Sequence, residues 1–144
     1  MWEHGDAQSR VGSYIGVDID YGGLFSAGDS ATSRYNNFKK KLPKFPNMVF
    51  IQMSASVLFD LNNQITTIGN MKDENKKLII NTFGENENSK NYKTFDIMNA
   101  QFTIHYYFEN DNTLNNFLNN VKKYLKQHGF LLVTTFDANI IHNT

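Results

Sequence analysis

Strand-like and helix-like patterns alternate along this chain, and this alternation restricts the fold more than any other feature. Short apolar runs rich in β-forming residues predict strands at 13–19, 47–53, 94–100 and 130–136. Helical patterns occupy 29–41, 73–83 and 110–129 between them. Such alternation predicts an α/β fold with a parallel sheet and helices on both of its faces.

The segment 110–129 is the clearest helix, because a single apolar stripe runs along it. The stripe consists of Leu114, Phe117, Leu118, Val121, Tyr124 and Leu125. We expect Asp111 or Asn112 to cap its start. Gly129 is expected to end it, since glycine commonly follows the last helical turn.

The span 60–93 is dominated by Asn, Lys and Glu. Within it, 73–83 predicts a helix with Asp73 as its cap, and 84–93 has the composition of a loop. We interpret the whole span as an insertion on the surface that is weakly ordered at its end.

Length and composition restrict the function. A chain of 144 residues predicts one domain over 1–144, and the absence of cysteine excludes disulfides, thiolate zinc sites and cysteine nucleophiles. No apolar run reaches membrane-spanning length, so no membrane partner is expected. The net charge is zero, so any nucleic-acid contact must use local patches. The four histidines share no metal-ligand spacing, and no metal is expected.

Polar residues follow the predicted strands at the ends where a parallel sheet binds its ligands. They are Asp18, Asp20, Ser54, the run 101–108 and Asp137. We expect them to converge on one edge. Asp18 would either accept hydrogen bonds from ribose hydroxyls or be a solvated loop acid, and His105 would be a base, a ligand or a packed residue. The glycine-rich stretch 21–29 lacks a phosphate-loop pattern and is interpreted as a flexible connection.

The stretch 94–139 resembles the messenger RNA cap guanine-N7 methyltransferases, whose core reads FDxxxxQFxxHYxF. The matching residues are Phe95, Asp96, Gln101, Phe102, His105, Tyr106 and Phe108. Upstream, YIGVDID resembles the family's second strand, and RYNNFKKK with FIQ resembles the helix and strand that follow. General methyltransferases lack the QFxxHY run, so the resemblance is specific.

The resemblance implies a Rossmann-like class I methyltransferase fold that depends on S-adenosylmethionine. It also implies an incomplete domain, because the family's first strand with its glycine-rich loop and the C-terminal strands have no counterpart in this sequence. The strands ending at Asp18 and Ala100 would then lose a shared neighbour and leave unpaired edges. We therefore expect the isolated chain to be poorly stable or to rearrange locally.

The resemblance also implies two ligand sites. Asp18 would bind the ribose of S-adenosylmethionine, Ser54 stands where the family has an acid for the adenine, and Gln101 would lie near the methionine end. For the cap guanine, Phe102 would supply the stacking face, while His105 and Tyr106 would contact the polar edge. No side chain would act as a nucleophile or base, because the protein would only position the reactants.

The implied substrate partner is the capped 5′ end of mRNA, with other domains or subunits of a capping enzyme beside it. The Asn- and Lys-rich insertion resembles sequences of large DNA viruses. This resemblance implies a location in the cytoplasmic viral factory or in the virion, whereas a cellular protein of this family would be nuclear. Two other hypotheses stay open. One is a catalytically inactive methyltransferase-like binding module, suggested by Ser54. The other is a small-molecule methyltransferase, which leaves His105 and Tyr106 without a role.

Overall fold

A computed structural model describes residues 11–101 and 103–136. The chain divides into two compact units, Met1–Ser54 and Ala55–Thr144. Each unit contains one pair of parallel strands with helices, so the α/β class is confirmed. No helix in these two described ranges is both long enough and apolar enough to cross a membrane.

The first unit is a strand–helix–strand arrangement. Its elements are β1 (Ser13–Asp18), α1 (Tyr21–Phe25), α2 (Ala31–Lys41) and β2 (Asn47–Gln52). The two strands are parallel, with Ser13 opposite Asn47 and Asp18 opposite Gln52. Among the described residues of this unit, Ile51 and Met53 are the most deeply buried apolar ones. Within β2 only Ile51 is buried and Val49 is 38% exposed, so the nearly continuous apolar run is not matched by burial on both faces.

The stretch 21–29 is not simply a flexible connection. Its first residues form α1, a short helix that begins after Asp20. The Asp20 carboxylate accepts a hydrogen bond of 3.1 Å from the backbone N–H of Gly22. A side-chain oxygen at this position satisfies one of the donors that a helix start leaves free, so the acid induces the turn.

The second unit contains four helices and two strands in the described residues. Its elements are α3 (Leu61–Ile68), α4 (Asp73–Phe83), β3 (Phe95–Gln101), α5 (Ile104–Tyr107), α6 (Asp111–Tyr124) and β4 (Leu125–Thr134). The bounds predicted for α4 are confirmed, whereas α3 was not predicted. β3 and β4 are parallel, with Ile97 opposite Phe130 and Gln101 opposite Thr134.

The span 60–93 supplies much of the core of the second unit, so the prediction that it lies on the surface is wrong. Ile79 and Phe83 on α4 are buried, and the Phe83 ring meets the Tyr124 ring of α6 edge-to-face at 5.1 Å. The loop that follows is held by the Ser89 hydroxyl, which accepts hydrogen bonds from the N–H groups of Glu85 and Asn86. The prediction failed because the composition of the span is mostly polar, although the few apolar residues within it are buried.

The helix caps differ from those predicted. Asn110, not Asp111 or Asn112, caps α6, and it forms a reciprocal capping box with Thr113. Lys72 precedes α4 without a side-chain capping bond, which places Asp73 inside the helix as its first residue. There, its negative charge is favoured by the helix dipole.

α6 also ends earlier than predicted, at Tyr124, and β4 begins at once with Leu125. Leu125 pairs with Phe95, but the next pair is Ile97 with Phe130, so residues 126–129 bulge from the ladder. His128 has a φ of 65° in this bulge. A Cβ on Gly129 would lie 2.9 Å from the backbone oxygen of Asp96. Gly129 therefore serves a close backbone approach inside a strand, not a helix end.

The described strands form two hydrogen-bonded pairs and not one continuous parallel sheet, which agrees with the expected loss of a neighbour shared by the strands ending at Asp18 and Ala100. Within the described ranges, β1 pairs with β2 and β3 pairs with β4, and the two pairs are separate. Their parallel direction is as predicted. Large apolar side chains on these strands are exposed, among them Val17, Ile97, Phe130 and Leu132.

Candidate functional site

The first unit brings Asp18 and Ser54 to the same end of its strand pair. Asp18 is the last residue of β1, and its carbonyl accepts a hydrogen bond of 2.9 Å from the N–H of Met53. Ser54 follows directly and is buried. Two of the residues predicted to bind one ligand are thus neighbours across the carboxyl ends of adjacent parallel strands, where such sheets bind ligands.

The Asp18 carboxylate is exposed and has a defined local contact. Its Oδ1 accepts a hydrogen bond of 2.9 Å from the backbone N–H of Asp20. The opposite strand adds a second contact to the same turn, since the Gln52 side-chain amide donates to the carbonyl of Ile19 at 3.1 Å. The turn after β1 is therefore held at both sides, and it presents an acid to solvent.

The second unit places Gln101, His105 and Tyr106 around one tight turn. Gln101 is the last residue of β3 and is exposed. Phe102, predicted to stack on the guanine, lies outside the described residues, as does Asp137. His105 and Tyr106 lie on α5, a single helical turn in which the N–H of Tyr106 donates to the carbonyl of Thr103 at 3.1 Å.

The rings of this turn form an exposed group. The His105 and Tyr106 rings lie 4.0 Å apart between centroids, and the Phe136 ring lies 6.2 Å from His105. Tyr106 is 63% exposed and Phe108 65% exposed. Aromatic residues this open, with a polar atom on two of the rings, suit contacts with a flat polar ligand better than core packing.

Tyr107 faces the opposite way and anchors the turn. It is 6% exposed, and its ring stacks on Phe117 of α6 at 4.3 Å with an interplanar angle of 11°. Burial raises the pKa of the Tyr107 phenol, and a hydrogen bond with Thr103 partly lowers it. The Thr113 hydroxyl donates a hydrogen bond of 2.9 Å to the Tyr107 carbonyl. α6 therefore determines how His105 and Tyr106 are presented.

Comparison with known proteins identifies the family. The family model described as "mRNA (guanine-N(7))-methyltransferase domain" matches residues 5–144. The chain belongs to this family. It is also 43% identical over 130 residues to a "Probable mRNA-capping enzyme" of Acanthamoeba polyphaga mimivirus, a match that covers 90% of this chain and 10% of the relative. The chain thus spans about a tenth of the length of that relative. No solved structure matches the chain.

Within this cap methyltransferase domain, the predicted site residues divide between the two units. Asp18 and Ser54 belong to the first unit, while Gln101, His105 and Tyr106 belong to the second. The predicted convergence of all these residues on one edge stays a prediction. In the described parts of the domain, no three His, Cys, Asp or Glu side chains are grouped closely enough to hold a metal ion.

The sequence analysis of this methyltransferase domain missed two asparagines on α6. Asn116 donates a hydrogen bond of 3.0 Å from its amide to the carbonyl of Ser56. Asn120 donates to the carbonyl of Val57 at 2.9 Å and accepts from the N–H of Phe59 at 3.1 Å. Asn120 lies three residues after Phe117 and four before Tyr124, so a polar residue within the apolar stripe was the available indication.

Proposed function

We propose that this domain transfers a methyl group from S-adenosylmethionine to N7 of the guanosine cap of mRNA. The observation that supports it most is the exposed His105–Tyr106 pair, held on a one-turn helix after β3, in a chain matched by the family model over 5–144. The family match supports the assignment of the reaction. The exposed rings on the α5 turn support the assignment of this turn as the site where the cap guanine binds.

The residues at the strand ends of the first unit fit the methyl donor. An exposed carboxylate at Asp18 is suited to accept hydrogen bonds from the two ribose hydroxyls. Ser54, buried beside the same strand end, would contact the adenine through its hydroxyl, a weaker partner than a carboxylate. Gln101 in the second unit would lie near the methionine end. S-adenosylmethionine supplies a methyl group that its sulfonium centre has already activated.

The turn around α5 fits the cap guanine. Phe102 would provide the stacking face, and stacking on an aromatic ring contributes about 1–3 kcal/mol per base whatever its identity. Selectivity for guanine would then come from polar atoms beside the ring. The His105 imidazole and the Tyr106 hydroxyl are both exposed on the same turn, and their rings are 4.0 Å apart.

The proposed reaction needs no nucleophilic side chain. Guanine N7 carries a lone pair, so the protein accelerates transfer by holding the two reactants in line at about 3–3.5 Å. His105 and Tyr106 would therefore bind and orient the guanine without exchanging a proton with it. A base role for His105 is not part of this proposal.

We also propose that the two strand pairs are portions of a Rossmann-like class I methyltransferase sheet. The parallel direction of both pairs supports this fold, as does the acid that closes β1. The mimivirus relative is much longer than the matched segment, which supports other domains beside this one in the same protein. A viral factory or virion is proposed as its location if the protein is viral, and the nucleus if it is cellular. The span 60–93 would then be an insertion within the domain that contributes to its core.

A methyl-transfer assay tests the activity. The chain is incubated with RNA carrying an unmethylated guanosine cap and radiolabelled S-adenosylmethionine, and the cap is then released and identified by chromatography. We expect label in 7-methylguanosine. His105→Ala and Tyr106→Ala should each lower kcat/KM about tenfold or more, because each removes a contact to a desolvated ligand.

Phe130→Ala is the matched control, because Phe130 is an exposed aromatic residue of the same unit outside the α5 turn. Its kcat/KM should stay close to that of the unmodified chain. Cap binding without any methyl transfer would favour the inactive binding module instead. Transfer to small molecules but not to capped RNA would favour the third hypothesis and contradict the proposal.

A further inference from the structure

The end of α2 and the turn after it concentrate positive charge in a chain whose net charge is zero. Residues 30–54 contain five basic side chains and no Asp or Glu. The basic patch, as we call it, consists of the exposed side chains Phe38, Lys40, Lys41 and Lys44. We infer that the basic patch binds the phosphate backbone of single-stranded RNA and stacks on one of its bases. This inference rests on the proposed function for the choice of RNA as partner, and it adds an affinity for RNA that does not depend on the cap.

The two other basic residues of this segment already have partners. The Arg34 guanidinium pairs with the carboxylate of Asp29 at 2.7 Å. The Lys39 ammonium donates a hydrogen bond to the carbonyl of Phe45. The three lysines of the basic patch are exposed, and no carboxylate in the described residues forms an ion pair with them. Their charges are therefore available to an external anion.

The described acids of the first unit lie far from the basic patch. Asp29 precedes α2, whose length separates it from the last turn by about 16 Å. Asp18 and Asp20 follow the carboxyl end of β1, whereas the basic patch leads into the amino end of β2, about 20 Å away along the strands. Both separations exceed the Debye length of about 10 Å at 0.1 M ionic strength. These acids therefore do not cancel the field of the lysines, and the dipole at the end of α2 offsets only about half a charge.

The turn that carries Lys44 is ordered without a ligand. The N–H of Phe45 donates a hydrogen bond of 2.8 Å to the carbonyl of Leu42. Pro43 and Pro46 restrict the backbone on either side of Lys44. Because the turn is held in this way, binding an anion there would lose little conformational entropy.

Phe38 supplies an aromatic surface beside the lysines. Its ring is stacked on Phe45, with the centroids 6.0 Å apart and an interplanar angle of 17°, and yet Phe38 is 53% exposed. Lys41 lies three positions later on α2, so the two side chains are neighbours on the helix surface. An open ring next to cations is the combination that binds single-stranded nucleic acid without regard to base sequence.

RNA binding by the full 144-residue chain tests the inference. The probe is an uncapped, fluorescently labelled single-stranded RNA of about 16 nucleotides, titrated by anisotropy between about 0.05 and 0.2 M salt. The triple variant K40Q/K41Q/K44Q should bind about tenfold or more weakly at about 0.1 M salt. The slope of log K against log salt should become shallower by about 2, because each phosphate contact to a single strand contributes about 0.7.

Three further variants separate charge, stacking and fold. K40R/K41R/K44R keeps the charges and should retain both the affinity and the slope. Phe38→Ala should weaken binding about fivefold or more without changing the slope, because stacking releases no counterions. Lys77→Gln is the matched control, since Lys77 is an exposed lysine one turn after Asp73 and Glu74 on α4, and it should change neither quantity.

Several results would overturn the inference. One is a K40Q/K41Q/K44Q variant that keeps the affinity and slope of the unmodified chain, and another is a Lys77→Gln variant that loses as much as the triple variant. The proposed function would stand in both cases. Lysine-dependent binding to vesicles of phosphatidylserine and phosphatidylcholine, without binding to RNA, would assign the basic patch to a membrane surface instead. Lysine-dependent RNA binding by a chain that transfers no methyl group to capped RNA would support the inference and contradict the proposed function.

Discussion

The phenol of Tyr124 donates a hydrogen bond of 2.9 Å to the backbone carbonyl of Phe83, and both residues are buried. This bond joins the last residue of α6 to the last residue of α4. Phe59 packs on both rings, at 5.0 Å from Phe83 and 5.7 Å from Tyr124. Phe59, Phe83 and Tyr124 therefore form an aromatic group in the core, and the hydrogen bond from Tyr124 to Phe83 lies within it.

Tyr124→Phe should reduce the free energy of unfolding by about 1–3 kcal/mol, because the Phe83 carbonyl would be left buried without this donor. Urea unfolding followed by circular dichroism measures the change. Tyr106→Phe is the control, since its hydroxyl is on an exposed ring and its loss should have little effect on stability. Equal stability of both variants would contradict the importance of the buried bond.

Stability should fall at alkaline pH. Burial, the carboxylate of Asp60 and the neighbouring Tyr92 raise the pKa of Tyr124 well above its ordinary value of 10.0. Above pH 10 the unfolded chain releases this proton and the folded chain keeps it, so folding loses free energy as the pH rises. The slope is at most about 1.4 kcal/mol per pH unit for one proton.

Urea midpoints between pH 9 and pH 11 measure this dependence. The fall of the unfolding free energy with pH should be less steep in Tyr124→Phe, by an amount that approaches one proton toward pH 11. Tyr107, whose pKa burial also raises, should contribute in the same direction. A chain whose stability rose over that range, or a Tyr124→Phe variant with an unchanged slope, would show that the Tyr124 phenol ionises as readily in the folded state as in the unfolded one.

Ile79→Ala should destabilise the chain by about 2–5 kcal/mol, because Ile79 is 0% exposed on α4 and its truncation leaves a cavity. Its neighbour Ile80 is 37% exposed, so Ile80→Ala is the matched control and should cost about 1 kcal/mol or less. Thermal and urea unfolding both report the difference. Similar losses for the two variants would mean that the polar span is not part of the core.

Gly129→Ala should destabilise the second unit by about 1–3 kcal/mol, since the added Cβ would lie 2.9 Å from the backbone oxygens of Asp96 and Lys126. A Cβ on Gly12 would meet nothing within 4 Å, so Gly12→Ala should change stability by less than about 1 kcal/mol. If urea unfolding finds the two alanine variants equally stable, the tight approach at Gly129 is not a constraint.

The strands and the longest helices could be predicted from sequence because their patterns are local. The run NMVFIQM is apolar and rich in β-forming residues, and the stripe through Phe117 and Tyr124 has the helical period. α3 was missed because LNNQITTI is short, rich in Asn and Thr, and carries few apolar positions. The end of α6 was misplaced because Leu125 continues the helical stripe, while its pairing with Phe95 makes it extended.

The candidate site was predictable in outline only. The QFxxHY run located the turn, but composition does not distinguish exposed Tyr106 from buried Tyr107, which are adjacent in sequence. That difference depends on Phe117, a residue of another helix. The roles of Asn116 and Asn120 likewise depend on carbonyls about 60 residues away, a separation that no local pattern reveals.

The bulge at residues 126–129 has a consequence for length variation. The pair Phe95–Leu125 precedes it and the pair Ile97–Phe130 follows it, so the ladder is anchored independently on each side. One residue added between Lys126 and His128 would enlarge the bulge without altering which face each later side chain occupies. The same addition after Phe130 would reverse every side chain up to Thr134. Homologous chains can therefore differ in length within the bulge while keeping the pairing that corresponds to Gln101 opposite Thr134.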